Sequence, residues 1–198
     1  MKSTLKLFPH DNHAKNMLVI HPHDPTTAML AALYEGTDAH VISDFRSKDA
    51  MNHLLHQVAG GERIMLLGHG SDHGLYYRAF DKPGEQDKFI VGHPHTYHLR
   101  RHGSNIVAVW CHADLFARTE RLHGLFSGMI ISELSEAALY HVETTQEELD
   151  LENKKLAQRL RALLDEDVPL ADIPKRMLAL DDVHTPLTRF NYPHFYYL

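Results

Sequence analysis

Apolar positions along the chain fall into short runs and helical stripes that alternate. "MLVI" at 17–20 is a run without polar interruption, stopped by His21-Pro22, and reads as a buried strand. "PTTAMLAALYEG" follows, where Thr26 or Thr27 can cap a helix with Met29, Leu30 and Leu33 on one face and Gly36 as its stop. "AHVISDF" predicts a second strand. "SKDAMNHLLHQVAGG" predicts a second helix, capped by Ser47, with Met51, Leu54, Leu55 and Val58 on its apolar side. A third strand, Ile64 to Leu67, ends abruptly in Gly68-His69-Gly70.

Beyond it, "GLYYRAFDKPGEQDKFIVG" predicts a hairpin around the turn "DKPGEQD", and a short helix can start near Pro94. Ile106 to Trp110 predicts another buried strand, followed by a helix in "HADLFARTERLHG" and a strand-and-helix unit in "LFSGMIISELSEAALY". Later, Thr144 with Glu147 or Thr145 with Glu148 forms a capping box. It opens a long helix whose Leu149, Leu156, Leu160, Leu163 and Leu164 make a core-packing stripe. "PLADIPKRMLAL" predicts a further helix. The tail "RFNYPHFYYL" has strand-like composition broken by Pro193, which suits an edge strand or an extended wrap.

Strands that alternate with helices and are apolar throughout predict an α/β fold, with a mostly parallel sheet of about five or six strands flanked by helices. The expected organisation is a single domain over 1–198. Its core spans about 16–140, and a helical C-terminal extension covers about 144–198.

Composition narrows the function classes. The formal net charge of −6 and the absence of a Lys/Arg-rich run argue against nucleic acid. No apolar run approaches the roughly 18–20 residues of a membrane span, and the N-terminus lacks the apolar core of a secretory signal. A lone cysteine suits a reducing cytoplasm, the expected location. Eighteen histidines are the unusual feature, and metal binding is one reason a chain could carry them.

In open α/β sheets ligands bind outside the carboxyl ends of the strands. That rule gathers His21, His23 and Asp24 from the first strand, His69 from the third, and Cys111, His112 and Asp114 from the strand after the hairpin. A thiol near an imidazole is the minimal kit for nucleophilic catalysis, because the ring can take the thiol proton or stabilise the thiolate. His69 is then general base and acid, with His73 a nearby substitute. The amides of Gly70 and Cys111 can donate to a developing oxyanion.

The segment "LLGHGSDHGLY" resembles the "SGHG" segment of metacaspases, and "IVAVWCHAD" is similar to their "DCCHSG" segment. His69 lies 42 residues before Cys111, near the gap of roughly 50 in caspases. The hairpin and short helix between them also match the layout of the caspase-like cysteine peptidases. The resemblance covers about 16–140 and implies a caspase-like three-layer sandwich that cleaves peptide or protein substrates without a cofactor. It implies His69 as catalytic histidine, Cys111 as nucleophile, and Gly70 and Cys111 as backbone oxyanion donors. Asp24 falls where basic-specific relatives keep an acidic pocket residue. The chain departs from the pattern in having Trp110 before the cysteine and Ala113-Asp114 after Cys-His.

Each of these residues has a plainer role beside the chemical one. Asp24 can cap the first helix, Trp110 can pack in the core as readily as line a substrate pocket, and Asp114 can face that pocket or sit in a helix first turn. Two other functions stay open. His21, His23, Asp24 and His112 could hold zinc in a metal-dependent hydrolase, or the fold could be a catalytically silent binding module.

Overall fold

A computed structural model describes residues 17–78 and 88–198. The turn "DKPGEQD" lies outside the described residues. The central sheet has six strands: β1 (Met17–Ile20), β2 (His40–Ile42), β3 (Arg63–Leu67), β7 (Ile106–Val109), β8 (Gly124–Ser127) and β9 (Phe195–Tyr197). Their order is β2-β1-β3-β7-β8-β9. The first five are mutually parallel, and β9 closes the edge antiparallel to β8. A smaller antiparallel sheet, β4 (Gly70–Ser71), β5 (Gly74–Tyr77) and β6 (Lys88–Gly92), grows out of the carboxyl end of β3, and the short helix α2 (Thr96–Leu99) follows it. The sheet is therefore mostly parallel and covered on both faces, as the apolar runs imply.

Period-two alternation sorts the strand residues into two cores. On one face Leu18, Ile20, Ile64, Leu66, Ile106, Ala108 and Phe126 pack under α1 (Lys48–Gln57) and α3 (Ala113–Glu120), joined by Leu75, Ile90 and Val91 of the small sheet. On the other, Val19, Met65, Leu67, Val107, Val109 and Leu125 meet Leu30 and Leu33 of the 3₁₀ helix Pro25–Leu33, and Leu156, Leu160, Leu163 and Leu164 of α5 (Gln146–Asp165). The leucine stripe of α5 is thus core. At about 25 cal/mol per Å² of apolar surface, each of these leucines contributes about 2 kcal/mol by burial.

Two sequence expectations change. The first helix is a 3₁₀ helix, and of the caps the sequence offers it uses Asp24, whose side chain accepts from the Thr26 amide, and neither threonine. Its buried residues Thr27, Leu30 and Leu33 recur every three positions, the 3₁₀ repeat. The C-terminal third is no extension. α5 and α6 (Ile173–Ala179) form the second outer layer, and β9 completes the sheet. Without α5 and α6, the 3₁₀ helix Pro25–Leu33 alone would cover only part of that face of the sheet.

Among the described residues no helix is long and apolar enough to cross a membrane.

Candidate functional site

Adjacent parallel strands bring distant residues together. Ile20 is paired with Leu66, and Leu67 with Val109, so the segments leaving β1, β3 and β7 run alongside one another at the carboxyl edge. His69 leaves β3 and Cys111 leaves β7. Both line one small cavity of about 20 Å³, with Thr27, Leu30, Trp110 and Ile130. That space has about the volume of one water molecule. No hydrogen bond joins the sulfur to the ring.

The His69 end is densely connected. The ring is 6% exposed. Its Nε2 lies 2.6 Å from Thr26 Oγ1, 3.3 Å from Asp24 Oδ2 and 3.7 Å from Glu133 Oε1. Thr26 donates its hydroxyl to Asp24 Oδ1 at 2.7 Å, and the Thr26 amide donates to the same oxygen at 2.9 Å. Arg78 reaches Glu133 Oε1 at 3.2 Å and Asp24 Oδ2 at 3.8 Å. Burial and the Arg78 guanidinium hold His69 below its usual pKa of 6.5, while the Asp24, Glu133 and Glu136 carboxylates pull it back up. The ring is therefore neutral at pH 7 and able to accept a proton.

The glycines flanking His69 have geometric causes. Gly68 has φ +138°, a conformation side chains avoid. A Cβ on Gly70 would meet Trp110 Cδ1 at 2.2 Å and the Gly74 carbonyl at 2.5 Å. The close neighbour of Gly70 is thus Trp110. The Tyr76 amide donates to the His69 carbonyl at 2.7 Å, which makes Gly70–Leu75 a non-hydrogen-bonded pair and turns the Gly70 amide away from β5.

Cys111 sits on a tight strand-to-helix turn. Ser127 Oγ accepts from the Trp110 amide at 3.0 Å and donates to the Trp110 carbonyl at 2.8 Å, latching the end of β7 to β8. His112 then takes a left-handed conformation, φ 68°, and its amide donates to the Gly128 carbonyl. The Cys111 amide has no hydrogen-bond partner among the described residues. The partly exposed thiol faces the Ile130 carbonyl at 3.6 Å and Glu136 Oε1 at 3.8 Å. Burial, then the Glu136 charge, pushes its pKa up to about 12. The sulfur rests as a thiol.

Glu136 is held in place by its other oxygen, which accepts from the Ser132 amide at 2.7 Å, the Ser132 hydroxyl at 3.1 Å and the Glu133 amide at 3.2 Å. It belongs to α4 (Leu134–Leu139), just beyond β8. An open cleft of about 870 Å³ adjoins the His69 end, its walls including Thr26, Met29, Glu133, Asp150, Asn153 and Lys154.

The remaining candidates fall as follows. Asp24 is a buried cap that also touches the His69 network. Trp110 packs on Phe116, donates its indole N–H to the Ser71 carbonyl at 3.0 Å and presents an edge to the small cavity. Asp114 lies in the first turn of α3, 3.9 Å from Arg118, and does not line the cavity. His73 is 76% exposed at its side chain and lies 3.9 Å from Asp72. Of the zinc alternatives, His21 is buried against Tyr34 Oη at 3.0 Å and Thr27 Oγ1 at 3.4 Å, while His23 is exposed. Among the described residues no three His, Cys, Asp or Glu side chains gather into a metal site. Sequence reasoning missed Thr26 as a partner of His69, and missed Arg78, Glu133 and Glu136 altogether. Extending the strand-end rule to β8 would have gathered the two glutamates.

The chain matches no family model, no curated protein and no solved structure.

Proposed function

We propose that this protein is a cysteine-dependent peptidase of caspase-like type, acting on peptide or protein substrates through a His69–Cys111 dyad. The observation that carries it is the shared cavity: two side chains, delivered by neighbouring parallel strands, face one space at the sheet's carboxyl edge. The order of His strand, hairpin, short helix and Cys strand is also that of the family the motifs resemble.

The chemistry follows from the resting states. A thiol with a pKa of about 12 is almost wholly protonated at pH 7, so a preformed thiolate–imidazolium pair is not the starting point. His69 takes the thiol proton as sulfur attacks the scissile carbonyl, forming the S–C bond and an oxyanion. The amides of Gly70 and Cys111 are the donors for that oxyanion. The imidazolium returns the proton to the leaving amine as the C–N bond breaks. Water, deprotonated by His69, then hydrolyses the thioester. The ring and the sulfur are not hydrogen-bonded at rest, and their contact tightens in the substrate complex for the proton to pass. The substrate chain lies in the cleft beside Thr26 and Glu133.

Incubation with a mixed-sequence peptide library, read by mass spectrometry, tests this. Cleavage by the wild type and none by Cys111→Ala is expected, with a thioester adduct on Cys111 after acid quench. A folded wild type that cuts nothing, and forms no adduct, overturns it. The silent-module alternative is favoured by the high thiol pKa, and the same negative result selects it.

A further inference from the structure

Nε2 of His69 faces three oxygens, and the nearest belongs to a hydroxyl with a single proton. Thr26 Oγ1 lies 2.7 Å from Asp24 Oδ1, and a carboxylate can only accept. The hydroxyl proton therefore goes to Asp24, and Oγ1 must receive a proton from the ring 2.6 Å away. That fixes the neutral imidazole as the Nε2–H tautomer and leaves Nδ1 as the free acceptor. Asp24 is immobilised in turn, because its Oδ1 caps the 3₁₀ helix through the Thr26 amide. Among the described residues its Oδ2 has no hydrogen bond, and it stands 3.3 Å from Nε2. The register of β1 on β3 places these residues opposite one another, four residues past Ile20 and three past Leu66.

We propose that Thr26 and Asp24 are positioning residues for His69, a relay that sets its tautomer and holds Nδ1 as the base for the Cys111 thiol. This rests on the peptidase function above. The Thr26 hydroxyl is the element that reads ring orientation, and the Asp24 charge stabilises the imidazolium formed when Nδ1 takes the proton. Glu133, Glu136 and Arg78 are the other charged groups facing the ring. Glu133 is tied to Arg78 at 3.2 Å and stands 3.7 Å from Nε2, too far to replace Thr26. An Asp-Thr pair serving purely as a helix cap would place no demand on the ring.

The test is ¹⁵N-histidine NMR of the full chain at pH 7.5, with the His69 signals assigned by their absence in His69→Gln. Wild type is expected to show the Nε2–H pattern with a bare Nδ1. Thr26→Val should give a mixture of tautomers, and Thr26→Ser should restore the wild-type pattern. Asp24→Asn, which keeps the cap, should lower the His69 titration midpoint, because a charge favouring the imidazolium is gone. In turnover, Thr26→Val should lose at least about tenfold in kcat, a loss Thr26→Ser recovers. An Nδ1–H pattern in wild type, or an unchanged pattern in folded Thr26→Val, overturns the relay. The NMR arm needs no turnover, so the relay and the peptidase function can fail separately.

Discussion

The ends of β3 and β7 carry the two halves of one proposed dyad, and they are built on opposite principles. Around His69, a hydroxyl and two carboxylates converge on one ring nitrogen, and a guanidinium bridges the two carboxylates. Around Cys111, among the described residues, one backbone carbonyl and one carboxylate edge face the sulfur, and the Cys111 amide has no hydrogen-bond partner. The histidine is preorganised by its neighbours. The cysteine is held in place by its backbone, through Ser127 and the left-handed His112, while its side chain is left in the form that reacts least. Such a division puts the burden of activation on the ring and on the arrival of substrate. It differs from a site that stores a thiolate in advance.

The largest effect expected is from cutting the comparison in two. Cys111→Ala should abolish turnover, and His69→Ala should reduce it by about 10³-fold or more, measured as peptide hydrolysis rate. Acid should act on one side first. His21, directly after β1, has its pKa lowered by burial to about 4, from 6.5 when unfolded. The unfolded chain therefore binds the proton first, and stability present above pH 6.5 is lost as pH falls through about 4. About 2.5 pKa units at 1.36 kcal/mol each give about 3 kcal/mol. Denaturant titrations at pH 7.5 and 4 check this, and His21→Gln should flatten the dependence.

Next comes the contact between the two ends. Gly70→Ala should destabilise the fold by about 2 kcal/mol and slow turnover, because its Cβ has nowhere to go but into Trp110 or the Gly74 carbonyl. A melting temperature equal to wild type would show that the two segments are not in close contact. The smallest effect sharpens the cysteine side alone. Glu136→Gln removes the negative charge beside the sulfur and should lower the thiol pKa, so alkylation by iodoacetamide at pH 8 should quicken by about tenfold.

How much of this could be read from the sequence depends on whether a feature is local. The runs Leu18–Ile20, Ile64–Leu67 and Ile106–Val109 are buried on both faces and declare themselves as strands. The leucines of α5 declare a buried stripe. Nothing local says which surface that stripe covers, so the C-terminal third reads as an appendage although it is a full layer. The first helix is legible as a helix but not as 3₁₀, because its apolar spacing is also compatible with an α-helix. His69, Cys111 and Asp24 could be found from the strand-end rule alone. Their partners could not, since Thr26 reaches His69 across 43 residues and Glu136 reaches Cys111 across 25. Those pairings exist through strand order, which no single segment encodes.

The most direct measurement of the dyad is the rate at which an acyloxymethyl ketone modifies Cys111, followed by intact mass in wild type and His69→Gln between pH 5.5 and 8.5. Modification at Cys111 in wild type, slowed by at least about tenfold in His69→Gln and with the acid limb of the profile removed, is the result predicted here. Equal rates and the same pH profile in both proteins would contradict it, leaving the ring and the sulfur as neighbours with no shared chemistry.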